Sequence, residues 1–106
     1  MAAWLAAQGW SVLEHRWRCP AGEIDLVCRA PAGLLVGVEV KLRSTGRTGT
    51  GAESIDARRL ARLRAALATY ARLASPSAGL RVDLVTVTPE ADGRWRVRRL
   101  PAIDGW

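Results

Sequence analysis

The sequence predicts an α/β fold, a mixed β-sheet flanked by helices, and three observations carry that expectation. Two segments, EIDLVCR (23–29) and LLVGVEVKL (34–42), alternate apolar and polar residues with the period of a strand. Between residues 54 and 74 the apolar residues instead recur at three- and four-residue spacing, the period of a helix. A β-branched run, LRVDLVTV (80–87), follows that helix and reads as a mostly buried strand. Strands wrapped around one long helix give layers that share a core.

The remaining elements follow in order. Residues 2–8 read as a short helix ended by Gly9, and WSVLEHRW (10–17) has strand character before a turn at Pro20-Ala21-Gly22. In 23–29, Glu23, Asp25, Val27 and Arg29 are expected on one face, with Ile24, Leu26 and Cys28 on the other. A hairpin loop, Pro31-Ala32-Gly33, places glycine at the left-handed position such loops favour. STGRTGTGAES (44–54) reads as a Gly/Ser/Thr loop. The helix from about Ser54 to Ala74 carries its apolar stripe on Leu60, Leu63, Leu67, Tyr70 and Ala74. Arg58, Arg62 and Arg72 lie opposite, Arg59 and Arg64 lie on the flanks, and Ser75-Pro76 ends it. RWRVRRL (94–100) is a last strand after Ala91-Asp92-Gly93.

Length and composition narrow the function classes. At 106 residues the expectation is one domain, residues 1–106, with one core burying about two-thirds of its surface. No apolar run approaches the roughly 18 residues a membrane span needs. MAAWLAAQ at the start lacks the basic segment of a signal peptide, so the expected setting is cytoplasmic, without a membrane. Cys19 and Cys28 have neither CxxC spacing nor histidine partners, and with one histidine in the chain a zinc site is not expected. The formal charge of +6 favours a polyanionic partner. Of the 16 basic residues, Lys41 is the single lysine.

In the register set by the Pro31–Gly33 loop, Asp25 faces Glu39 and Glu23 faces Lys41, all four on one side of the sheet. Opposed residues have Cβ atoms roughly 5 Å apart, where like charges destabilise. Two such carboxylates share a proton or gain a cation, and Mg²⁺ or Mn²⁺ is the expected cofactor, since hard dications take oxygen ligands. Such an ion acidifies a bound water and neutralises charge on a phosphodiester. Lys41 lies where a compact, tunable point charge is more useful than a guanidinium. On this reading Asp25, Glu39 and Lys41 are catalytic and Asp25 and Glu39 hold the metal. The competing reading is a solvated strand face with Glu23–Lys41 as a surface pair.

GEIDLV (22–27), VEVKLRS (38–44), IDARRLARLRAALATY (55–70) and RVDLVTV (81–87) resemble the YraN family of predicted endonucleases, of the restriction-endonuclease-like PD-(D/E)XK superfamily. The resemblance implies that superfamily's core, with the metal-binding aspartate at Asp25, the E-x-K at Glu39 and Lys41, and a small polar residue at Ser44. Relatives begin with a longer first helix bearing a Gly-Glu pair; this chain reads as starting inside that helix, so that glutamate has no counterpart. A lysine position of the family's long helix is Arg59 here. The implied activity is DNA cleavage, with branched or damaged structures as candidate substrates and Arg43, Ser44, Arg58, Arg59 and Arg62 against the nucleic acid. The alternative is a non-catalytic nucleic-acid-binding module on the same fold. A homodimer suits branched substrates, though no residue requires it.

Other residues read more plainly. Asp83, inside a strand, is either a support for the site or a structural hydrogen-bonding group. Gly46, Gly49 and Gly51 lack a P-loop ending, and His15 lacks the partners of a catalytic triad. Trp10, Trp17 and Trp95 read as core or rim rather than base-stacking platforms.

Overall fold

The computed structural model describes residues 1–42, 57–74, 78–101 and 103. Helix α1 (Ala2–Ala7) leads into β1 (Ser11–Cys19), β2 (Gly22–Arg29) and β3 (Leu35–Leu42); α2 (Ala57–Leu73), β4 (Leu80–Pro89) and β5 (Trp95–Leu100) follow. The five strands form one mixed sheet in the order β1-β2-β3-β4-β5. Only β3 and β4 run parallel; the other neighbours are antiparallel. A parallel pair needs a crossover, and α2 lies within that connection. Among the described residues, no helix is long and apolar enough to cross a membrane.

Each face of the sheet has its own core. Leu63, Ala66 and Leu67 of α2 pack on Ile24, Val27, Leu35 and Val82. Leu5 of α1 packs with Trp10, Leu26, Cys28, Val36, Val38 and Val85 on the opposite face. Alanine, leucine and arginine dominate α2, all good helix formers, so propensity and burial agree. Fully burying Leu67 alone contributes about 2 kcal/mol. At Gly37 an added Cβ would stand 3.5 Å from Ile24 and Leu67, an ordinary contact distance, so α2 packs directly over this position of β3.

The β2–β3 register is the expected one, with Leu26 opposite Val38 and Arg29 opposite Leu35. Gly33 takes φ +93 and donates its N–H to the Ala30 carbonyl at 2.8 Å, closing the loop. Two expectations are corrected. The ladder ends at Leu26–Val38, so neither Asp25–Glu39 nor Glu23–Lys41 is a ladder pair and the four side chains do not share one face; Glu23 lies opposite Arg18 on β1 and pairs with it at 3.5 Å. The strict alternation of β2 also breaks at Asp25: Ile24 and Val27 both pack under α2, while Leu26 and Cys28 pack under α1.

The cause lies in β1. Arg16 is the non-glycine residue with positive φ among those described, at +50°. It falls between the His15–Leu26 and Trp17–Ile24 pairs, directly across from Asp25. Glu14 and Trp17, three apart, therefore both reach Tyr70 on α2: Tyr70 donates its hydroxyl to Glu14 at 3.3 Å and meets Trp17 edge-on at 5.1 Å. The two strands kink together, and each loses one step of alternation. A left-handed conformation costs an L-residue with a Cβ roughly 1–2 kcal/mol, which the packing of Trp17 and Ile24 offsets.

Candidate functional site

The kink sets the position of Asp25. Below it, β2 no longer hydrogen-bonds to β3, and the Asp25 carboxylate accepts the Val40 N–H at 2.8 Å in place of a ladder partner. Its other neighbour is Glu39, to which it is hydrogen-bonded, so the two carboxyls share the gap where β2 leaves β3. Glu39 projects from the α2 side of β3, its side chain only 2% exposed. Arg59, in the first turns of α2, donates to both of its oxygens, one contact being 2.9 Å from Nη2 to Oε1. Such fork-to-fork pairs are the strong, directional kind of ion pair.

The two acids are driven apart electrostatically. Burial, then the hydrogen bond with Glu39, pushes Asp25 up to about 6, against the pull of the Val40 amide. Burial also opposes ionisation of Glu39, but the hydrogen bonds from Arg59 and Asp25 outweigh it, with the charges of Arg59 and Lys41 adding, and hold it below the usual range. Paired carboxyls with unlike environments are a hallmark of acid–base and metal sites. Asp25 also lines an open cavity of about 530 Å³ on the α1 side, with Met1, Ala2, His15, Arg16, Leu26 and Val40.

Of the residues singled out in the sequence, Asp25, Glu39, Lys41 and Arg59 gather here. Arg58 and Arg62 are exposed on α2, the backbone of Arg62 lying against Gly22. Arg43 and Ser44, with the whole 44–54 loop, lie outside the described residues. Asp83 is fully buried and accepts from Arg81 at 2.8 and 2.9 Å and from Arg99 at 3.1 Å, both guanidiniums lying over Trp10. Its role is structural: it closes a buried ion cluster on the α1 face. Trp10 is core as expected, Trp17 rim, and Trp95 is 58% exposed. Both cysteines are free thiols, and burial pushes Cys28 up to about 11, which makes it inert.

A dication finds two hard carboxylates here. Among the described residues no three acidic, histidine or cysteine side chains converge, so water, backbone and substrate oxygens would complete its shell. That suits Mg²⁺, which keeps several waters and uses one or two carboxylates. Arg59 already satisfies Glu39, so an ion must share that carboxylate with the guanidinium or displace it.

A family model described as "Uncharacterised protein family UPF0102" matches residues 1–87. The chain belongs to the UPF0102 family. Its UPF0102 relatives include a protein of Beutenbergia cavernae, 41% identical over 101 residues, covering 94% of this chain and 85% of its own. Another, from Symbiobacterium thermophilum, is 44% identical over 100 residues, covering 92% and 82%. A third, from Deinococcus radiodurans, is 39% identical over 106 residues, covering 98% and 85%. The UPF0102 match runs from α1 into β4 and so includes all four gathered residues.

The sequence reading missed Arg16 and the Val40 amide. Arg16 was within reach: extending the hairpin back from the Pro20-Ala21 turn puts it opposite Asp25. No local signal marks the amide, which is exposed only because the ladder ends early.

Proposed function

We propose that this protein is a cytoplasmic metal-dependent endonuclease acting on DNA phosphodiester bonds, as its resemblance to the YraN and PD-(D/E)XK enzymes implies. The observation that carries the reading is the hydrogen-bonded pair Asp25–Glu39, with the chain's one lysine two residues further along β3. Asp25 and Glu39 are the residues to hold Mg²⁺ or Mn²⁺. When bound, such an ion acidifies a water and neutralises developing phosphoryl charge. Asp25 is held in place by the Val40 amide, which fixes one of its carboxylate oxygens. Lys41 supplies a mobile ammonium to the phosphate or the attacking water. Arg58 and Arg62, with Arg43 and Ser44, contact the backbone, and Arg59 joins them when it leaves Glu39.

One observation favours a second reading. Arg59 binds both oxygens of Glu39, which neutralises the site without any metal. A nucleic-acid-binding module that retained the fold but not the chemistry would look the same.

Calorimetric titration of Mg²⁺ and Mn²⁺ into the wild type and Asp25→Asn separates the two. The nuclease reading expects saturable binding to the wild type that Asp25→Asn loses. No binding heat in the wild type leaves the second reading standing.

A further inference from the structure

We infer that Arg16 is a second phosphate-binding residue of this site, holding a nucleic-acid backbone phosphate across the cavity from Asp25. The inference rests on the nucleic-acid reading above and adds a residue that neither the motif nor the family match singles out.

Three observations meet at this residue. Arg16 and Asp25 lie across from each other in the β1–β2 hairpin and line the same cavity, with His15 beside them. Arg16 makes no hydrogen bond or ion pair with another described residue, and it is exposed. Finally, its backbone stands at φ +50, a conformation that glycine or asparagine adopts at far less cost. The kink needs that conformation but not a long cationic side chain.

Electrostatics supplies a reason for the arginine. Ionised Asp25 and Glu39 repel a phosphodiester, so a substrate must be drawn in by cations around them. Lys41 stands on the β3 side of the carboxylates and Arg16 on the β1 side. A guanidinium presents a fork of donors matched to two phosphate oxygens, and its position at the cavity wall leaves that fork turned to solvent.

The test uses the full chain, a fluorescently labelled branched DNA and its linear duplex, and anisotropy over a range of KCl in EDTA, so that cleavage plays no part. Arg16→Gly keeps the kink and removes the side chain. It is expected to melt at or above the wild-type temperature, to bind about fivefold or more weakly, and to flatten the salt dependence by about one phosphate contact. Arg16→Asn, which also tolerates positive φ, should reproduce the loss, and Arg16→Lys should keep the salt slope. Wild-type affinity and slope in either Arg16→Gly or Arg16→Asn overturns the inference and leaves the nuclease reading intact. A wild type that binds neither DNA overturns both.

Discussion

Arg59 donates to both carboxylate oxygens of Glu39, a side chain 2% exposed, while its own side chain remains 45% exposed. The pair thus joins a buried anion to a cation that can swing into solvent. Removing the cation strands the anion. Arg59→Ala should destabilise the protein by roughly 2 kcal/mol, below the 3–5 of a fully buried pair because one partner is half exposed. For a domain of this size that is a fall of about 10 °C in Tm. If the carboxylates also bind a dication, Mn²⁺ should restore more Tm to Arg59→Ala than to the wild type, because the ion no longer competes with the guanidinium. Thermal melts with and without Mn²⁺ measure this, and an identical metal response in both proteins refutes the competition.

Asp25 gives a stability signature of opposite sign. Folding raises its pKa from 3.8 to about 6, through burial first and then Glu39, so the folded protein holds the proton more tightly than the unfolded chain. That contribution is complete below 3.8 and is lost as pH rises through 6. Glu39 is lowered from 4.5, so its contribution stands above that value and falls away in acid. Between about pH 4.5 and 7 the Asp25 effect therefore governs. Asp25→Asn should be more stable than the wild type at pH 7 without metal, by about 1 kcal/mol after solvent screening, and the difference should vanish near pH 4. Melting curves over this range check it; a wild type that gains stability from pH 5 to 7 relative to Asp25→Asn contradicts it.

Much of this arrangement is legible in the sequence. The Pro31–Gly33 loop leaves one comfortable register for β2 on β3, and the three-four spacing of Leu60, Leu63 and Leu67 gives the face of α2 that meets the sheet. What escapes is tertiary. Alternation in 23–29 looks the same whether the strand runs straight or flips at Asp25, and the flip depends on Arg16, a residue with no local preference for positive φ. Helical periodicity places Arg59 on a flank but says nothing of how closely α2 approaches β3. Leu67 of α2 packs over Gly37 of β3, and Arg59 reaches Glu39 from the same helix, contacts that only the tertiary fold brings about.

Lys41 separates chemistry from folding. It is half-buried, and its charge helps hold Glu39 ionised. Lys41→Ala should shift Tm by no more than a few degrees, since it opens no core cavity. Cleavage of a supercoiled or branched DNA with Mg²⁺ should fall a hundredfold or more, the usual scale for a lost proton-transfer or charge-stabilising group. Lys41→Arg should recover DNA binding but not the rate, because a planar, permanently charged fork cannot replace an ammonium at the reacting phosphate. Equal cleavage rates for Lys41→Arg and the wild type would remove lysine's special role.

Gly37 offers a test of how packing controls the site from a distance. A methyl group there meets Ile24 and both Leu67 methyl carbons at 3.5 Å, an ordinary contact, so Gly37→Ala should fold with little change in stability. Gly37→Val adds two more carbons between β3 and α2, where Ile24 and Leu67 are fully buried and have no room to retreat. Overpacking of this kind costs about 1–3 kcal/mol. Arg59 stands just over two turns before Leu67 on the same helix, so lifting Leu67 also draws the guanidinium away from Glu39. Gly37→Val should then lower the urea midpoint and reduce the further loss caused by Arg59→Ala, since the pair is already weakened. A double-mutant cycle measures the coupling. Strictly additive effects would mean that α2 does not transmit the displacement.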